Sequence, residues 1–145
     1  MAAMTDYLEN KIIDWMLRGQ AFTPPTTVYV GLLTAAPSDS TAGTEVSGGS
    51  YARVAVTSNA TNWNSTDGDN DAASSGTDGT TENDTVITFP APTANWGVVT
   101  HFALYDAASA GNMLIWSALG TNKTVNNGDA APNFAVGSLS FQIDN

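Results

Sequence analysis

Asp67, Asp69, Asp71 and Asp78 have the acidic spacing of a calcium loop, in which the first, third, fifth and twelfth positions supply ligands. Carboxylates at alternate positions can converge on one hard cation. The rest of the pattern does not follow. Ala72 stands where the sharp turn requires glycine, Ser74 stands where an apolar residue is usual, and Asp78 is shorter than the glutamate that reaches a cation with both oxygens. No helices flank the stretch. These four aspartates are weak metal candidates, and a solvated acidic loop is the expectation.

His101 is the sole histidine, so acid–base chemistry at neutral pH would lean on it. Serine and threonine are abundant, yet no G-x-S-x-G or comparable nucleophile setting is present. A strand histidine with a hydrogen-bonding role is expected. Gly48-Gly49 lacks the lysine and helix of a phosphate cradle. With no cysteines, thiol catalysis, disulfides and cysteine-ligated metals are absent. No catalytic residue and no cofactor are expected.

Arg53 is the only base between Arg18 and Lys123. A guanidinium among apolar residues suits a buried or interface pair with a carboxylate, bound through both oxygens, and an exposed strand arginine is the alternative. Four tryptophans, Trp15, Trp63, Trp96 and Trp116, supply large anchors for a core or an interface. Trp63 stands alone in a polar stretch. It either staples that stretch to its own domain or inserts into a neighbour.

The elements that must position these residues divide sharply. Residues 5–18 read as a helix. Thr5 can cap it, Asp6 and Glu9 suit the positive end of the dipole, and Gly19 is a left-handed stop. Leu8, Ile12, Trp15 and Met16 recur at helical spacing, and Ile13 and Leu17 widen the apolar face. The face packs on its own domain or docks on a partner chain. Pro24-Pro25 then starts an extended run.

Strand signals follow at 27–34, 51–57, 85–89, 98–105, 113–118, 123–125 and 134–143, with Asn127-Gly128 as a hairpin signal and Gly137 as a possible bulge. Gly120 marks a turn between two of them. Residues 58–84, crowded with Asn, Asp, Gly, Ser and Thr, read as a polar arm. The expectation is an all-β chain: a β-sandwich or jelly-roll-like single domain over 1–145, with one N-terminal α-helix and β-domain residues 26–145. A chain of 145 residues hides about 70% of its unfolded surface, enough for a sizeable core.

Fourteen acidic residues against four basic ones give a formal net charge of −10. A nucleic-acid binder needs a positive footprint, and an anionic membrane surface needs one too, so both are excluded as partners. No run of about 18 apolar residues occurs. Met1 to Asn10 lack the basic-then-apolar order of a secretory signal, so synthesis in the cytoplasm is expected. The N-x-[ST] sequons at Asn59, Asn64, Asn83 and Asn122 are then chance matches in a chain rich in Asn and Thr.

Several blocks together resemble a known family. They are Tyr7-Leu8 with Lys11, Arg18-Gly19, Phe22-Thr23-Pro24-Pro25, Tyr29-Val30-Gly31-Leu32 with Thr34, and Gly43 to Gly49 leading to Tyr51-Ala52-Arg53. Ile87-Thr88-Phe89-Pro90, Trp96-Gly97, Thr100-His101-Phe102 and Tyr105-Asp106 complete the pattern. It is similar to a family of small virion proteins of tailed bacteriophages, commonly labelled phage tail fibre proteins, some of which resemble capsid cement or decoration proteins. The similarity covers most of the chain. The stretch from Asn64 to Glu82 is longer and more acidic than the family pattern.

The resemblance implies a virion structural role without catalysis. Two positions in the virion follow from it. One is a capsid cement protein contacting the major capsid protein and itself, which the short β-rich chain without coiled coil or collagen repeat favours. The other is a tail component: a short fibre, tail-tip or adaptor. A third class, a carbohydrate-binding β-sandwich module, would show exposed tryptophans on one face. A homo-oligomer is expected, with Leu8, Ile12, Trp15, Met16, Trp63 and Arg53 as interface candidates.

Overall fold

The computed structural model describes residues 2–68, 73–77 and 79–143. The elements in chain order are β1 (Ala3–Met4), α1 (Asp6–Leu17), β2 (Thr27–Ala35), β3 (Thr44–Glu45), β4 (Val54–Thr57), β5 (Thr80–Glu82), β6 (Ile87–Thr88), β7 (Gly97–Tyr105), β8 (Met113–Val125), β9 (Asn133–Phe134) and β10 (Ser140–Gln142). The long strands are the runs richest in β-branched and aromatic residues, β2 and β7 above all.

A six-stranded antiparallel sheet runs in the order β1-β8-β7-β2-β3, with β4 also beside β2. The outer edge of β2 is shared. Thr27 to Val30 pair with β4, while Leu33 and Ala35 pair with β3. Two ribbons, β6–β9 and β5–β10, complete the strands. The chain is all-β apart from α1, as its composition led one to expect.

Alternation along the strands gives the sheet two apolar faces. Val28, Val30, Leu32, Phe102, Leu104 and Leu114 share one cluster with Ile87, Phe89, Leu139 and Phe141 from the ribbon side. Phe102 joins the two, with ring centroids 5.5 Å from Phe134 and 5.4 Å from Phe141. The main sheet is therefore capped by two short ribbons rather than by a second full sheet. On the opposite face Leu33, Ala103, Tyr105 and Met113 form a smaller cluster, flanked by Tyr29 and Trp116.

Five local expectations give way. The strand expected at 134–143 is instead β9 and β10, which pair with β6 and β5 respectively and are separated by a turn, Ser138 N–H donating to the Ala135 carbonyl at 3.1 Å. Gly120 does not end a strand, because β8 runs through it. Val99 faces Lys123 and His101 faces Ala118, so Leu119 to Asn122 bulge opposite Thr100 alone. Asn127-Gly128 makes a turn, closed by Asp129 N–H to the Asn126 carbonyl at 3.2 Å, but the strands on either side do not pair with each other. The strand at 51–57 begins only at Val54. Gly48, Gly49 and Ser50 all lie at positive φ and swing the chain, and the Trp96 indole N–H donates to the Gly49 carbonyl at 2.9 Å. Thr5 holds the cap position of α1 without capping it; its hydroxyl donates to the Met113 carbonyl at 2.6 Å and so ties the helix start to β8.

The end of the polar arm is fixed by Asn83, which is fully buried. Its Nδ2 donates to the Thr85 and Ala135 carbonyls, both at 2.8 Å, and its Oδ1 accepts the Leu139 N–H at 2.8 Å. Its backbone also bonds Leu139 and Gly137. A buried amide with every group satisfied specifies one arrangement of the turn at Gly137.

Candidate interaction surface

Amphipathic spacing puts Leu8, Ile12 and Trp15 on one face of α1. Tyr7 and Leu8 reach the main core cluster. Beyond Leu8 the helix is open, at Trp15 on that face and at Ile13 and Leu17 on the opposite side. Ile13, Trp15, Met16 and Leu17 are 49%, 59%, 65% and 79% exposed, and no residue of α1 is fully buried. After Leu17 the helix closes with Arg18, whose guanidinium meets Asp14 at 2.9 Å on the surface. Of the candidates drawn from the helix, Leu8 belongs to the core margin and Ile12 is half-buried, while Trp15 and Met16 stand in the open.

Arg53 lies elsewhere and is spent inside the chain. Its Nε and Nη2 donate to the two Glu45 carboxylate oxygens at 2.8 and 2.7 Å, and its Nη1 donates to the carbonyls of Ala107 and Ala110, both at 2.8 Å. The guanidinium carbon sits 3.3 Å from the centre of the Tyr105 ring. Tyr51 adds its hydroxyl, donating to Glu45 Oε1 at 2.9 Å and accepting the Leu32 N–H at 2.8 Å. Gly31 makes the room: a Cβ there would stand 2.8 Å from the Tyr105 ring and 3.1 Å from Glu45.

Burial drives the Tyr51 hydroxyl strongly upward in pKa, and burial followed by the Glu45 charge pushes Tyr105 up to about 12. For Arg53, burial works against the charge, but the Glu45 hydrogen bonds and charge outweigh it and raise its pKa. The cluster is a clamp joining β2, β3, the β7–β8 loop and the entry to β4. Scarcity singled out Arg53 in the sequence; nothing local pointed to Glu45 as its partner.

Trp63 lies against its own domain. It bridges to Asn83, and its ring is 6.1 Å from Phe141. Trp96 is buried, Trp116 flanks the outer cluster of the sheet, and Trp15 is on α1, so the four tryptophans do not share one open face. Of the metal candidates, Asp67 accepts the Ser65 and Ser75 hydroxyls, whereas Asp69, Asp71 and Asp78 lie outside the described residues. Among the described residues no group of His and acidic side chains is placed to hold a metal ion.

His101 Nδ1 is 2.7 Å from the Thr100 hydroxyl, and its ring is 5.8 Å from Trp116. Burial lowers its pKa and so favours the neutral ring. A cleft of about 600 Å³ opens between the β8 bulge and residues 129–134. Its floor includes Val99, Val125 and Phe134, and Lys123 and Asp129 stand among its walls. No helix among the described residues is long and apolar enough to cross a membrane.

A compact β-domain with an uncovered helix face and an internally satisfied polar clamp is the build of a structural subunit. The family model for the podophage GP4 fiber I protein gp80 matches residues 3–142, and the chain belongs to that family of phage virion structural proteins. No curated protein matches it.

Proposed function

We propose that the chain is a subunit of a fibre on a podophage virion, made in the host cell and assembled through its N-terminal helix, with a structural role and no catalytic one. The family match over nearly the whole chain carries this reading, since the matched protein is named as a fiber component. The uncovered apolar face of α1 supports it from the structure. A helix with Trp15, Met16 and Leu17 in the open suits attachment to another virion subunit, whether a tail protein or a further fibre chain.

A second position is the capsid shell, as a cement protein on the major capsid protein. The compact domain favours it, because the described residues contain no coiled coil or other shaft that gives a fibre reach. Locating the protein decides between them. Antibody-gold or difference imaging of virions with and without the gene should place it at the tail in few copies, leaving heads intact. Label spread over the head, with heads that lose heat resistance when the gene is deleted, would establish the cement position instead.

A further inference from the structure

Asn127 and Gly128 form the tip of an exposed turn between β8 and β9, and Asn127 is the only asparagine in the chain that precedes a glycine. That order matters chemically. The main-chain nitrogen after an asparagine can attack the side-chain carbonyl carbon and close a five-membered ring, and a side chain on the attacking residue hinders the approach. Glycine has none. Gly128 stands at φ +81°, and nothing lies within 4 Å of where its Cβ would be. The Asn127 side-chain amide makes no hydrogen bond among the described residues. Asn83, by contrast, is buried with its amide bonded to Thr85, Ala135 and Leu139, and Asn112 donates its amide to Asp106 at 2.7 Å. The main chain of the turn is held: Asn127 N–H donates to Asn95 Oδ1 at 2.8 Å, and Gly128 N–H to the Pro92 carbonyl at 3.0 Å. The attacking nitrogen is therefore on the surface but tied by one bond.

We propose that Asn127 is a modification site: it deamidates spontaneously in the folded chain, ahead of every other asparagine, but more slowly than in the unfolded chain because the Gly128–Pro92 bond must first open. Hydroxide takes the Gly128 amide proton, the nitrogen bonds to Asn127 Cγ, and the Cγ–Nδ2 bond breaks, ammonia leaving with a proton from water. A water molecule then opens the succinimide. Cleavage between the Gly128 nitrogen and Cγ leaves aspartate in the ordinary main chain. Cleavage between that nitrogen and the main-chain carbonyl carbon of Asn127 leaves isoaspartate, whose backbone is one methylene longer. Either product adds a negative charge to a chain already at −10. The bonds to Asn95 and Pro92 hold the turn against the entry to β7, where Trp96 N–H donates to the Val125 carbonyl at 3.0 Å. A longer main chain cannot keep them all, so isoaspartate loosens this entry and aspartate does not. None of this depends on the fibre reading.

The test is to age the purified whole chain in mildly alkaline buffer, folded and in urea, and to map the products by proteolysis and mass spectrometry with isoaspartyl methyltransferase labelling. Conversion should come first at Asn127, rise with pH because the nucleophile is the deprotonated amide, and run faster in urea. The thermal midpoint of the aged protein should fall as isoaspartate accumulates. Asn127→Gln, which would need a six-membered ring, should age without that fall, and fresh Asn127→Asp should keep the wild-type midpoint. No conversion at Asn127 in the folded chain, or earlier conversion at another asparagine, would overturn the site. A folded rate equal to that in urea would overturn the restraint by Pro92, and an equal fall in aged Asn127→Gln would overturn the link to β7.

Discussion

Replacing Arg53 by methionine removes four charge-assisted hydrogen bonds of 2.7–2.8 Å and the stack on Tyr105, while keeping much of the apolar stem. Breaking a fully buried ion pair costs about 3–5 kcal/mol, mostly because the surviving charge is stranded. Here the Arg53 side chain is 7% exposed but that of Glu45 is 27% exposed, so water reaches the carboxylate and the cost falls to about 2–3 kcal/mol. For a chain of this length that lowers the melting temperature by roughly 6–10 °C. Glu45→Gln should cost about 1–2 kcal/mol, since Tyr51 still has an acceptor. The double variant should be less destabilised than the two single changes added together, by about 1 kcal/mol or more, because each removes the same contact. Arg53→Lys should restore less than half of the loss, as an ammonium cannot span both carboxylate oxygens and two carbonyls. The assay is urea unfolding followed by far-ultraviolet circular dichroism and tryptophan fluorescence. Additive single changes, or an Arg53→Met loss under about 0.5 kcal/mol, would refute the clamp.

Asn83→Ala should cost about 3 kcal/mol or more in the same assay, since it strands two carbonyls and the Leu139 N–H in the interior; wild-type stability would show that the turn at Gly137 stands without it. Trp116→Phe should change stability by under about 1 kcal/mol, far less than the 3–5 of a typical buried aromatic truncation, because the indole N–H is buried with no protein partner among the described residues. His101 has a folded pKa below its ordinary value, so the unfolded chain binds more protons. Its contribution to stability is complete above about pH 6.5 and falls as pH drops through the window down to the folded pKa. Unfolding titrations from pH 8 to 5 on wild type and His101→Gln should differ in slope in that direction; identical slopes would remove His101 from the account.

The sequence made the long strands legible and left their partners open. β2 and β7 declare themselves through valine, leucine and aromatic residues at alternating positions, and their observed bounds fall within a residue or two of the pattern. From sequence alone β8 reads as two pieces because Gly120 is a local turn signal, and only pairing with β7, a tertiary fact, carries the strand across it. Asn127-Gly128 likewise encodes a turn, but not what the flanking strands pair with. Asn83 was hidden by its surroundings: in a stretch crowded with Asn, Asp and Thr, composition cannot distinguish the one amide that is buried. For α1, periodicity reveals the apolar positions but not how few of them the domain covers.

That last gap carries a consequence for assembly. A chain at −10 repels its own copies at long range, which keeps it soluble while it accumulates. Two polar side chains are committed inside the chain: Arg53 to Glu45, Ala107 and Ala110, and Asn83 to Thr85, Ala135 and Leu139. The chain is acidic, and four of the eight large apolar side chains exposed among the described residues stand on one nearly neutral helix. A few such side chains are too small a surface to hold two free chains together tightly. Once other contacts bring copies to neighbouring positions, each further contact becomes intramolecular and its effective concentration rises steeply. A contact through these side chains that is weak in solution would tighten on an assembled particle by that route, with no change of conformation.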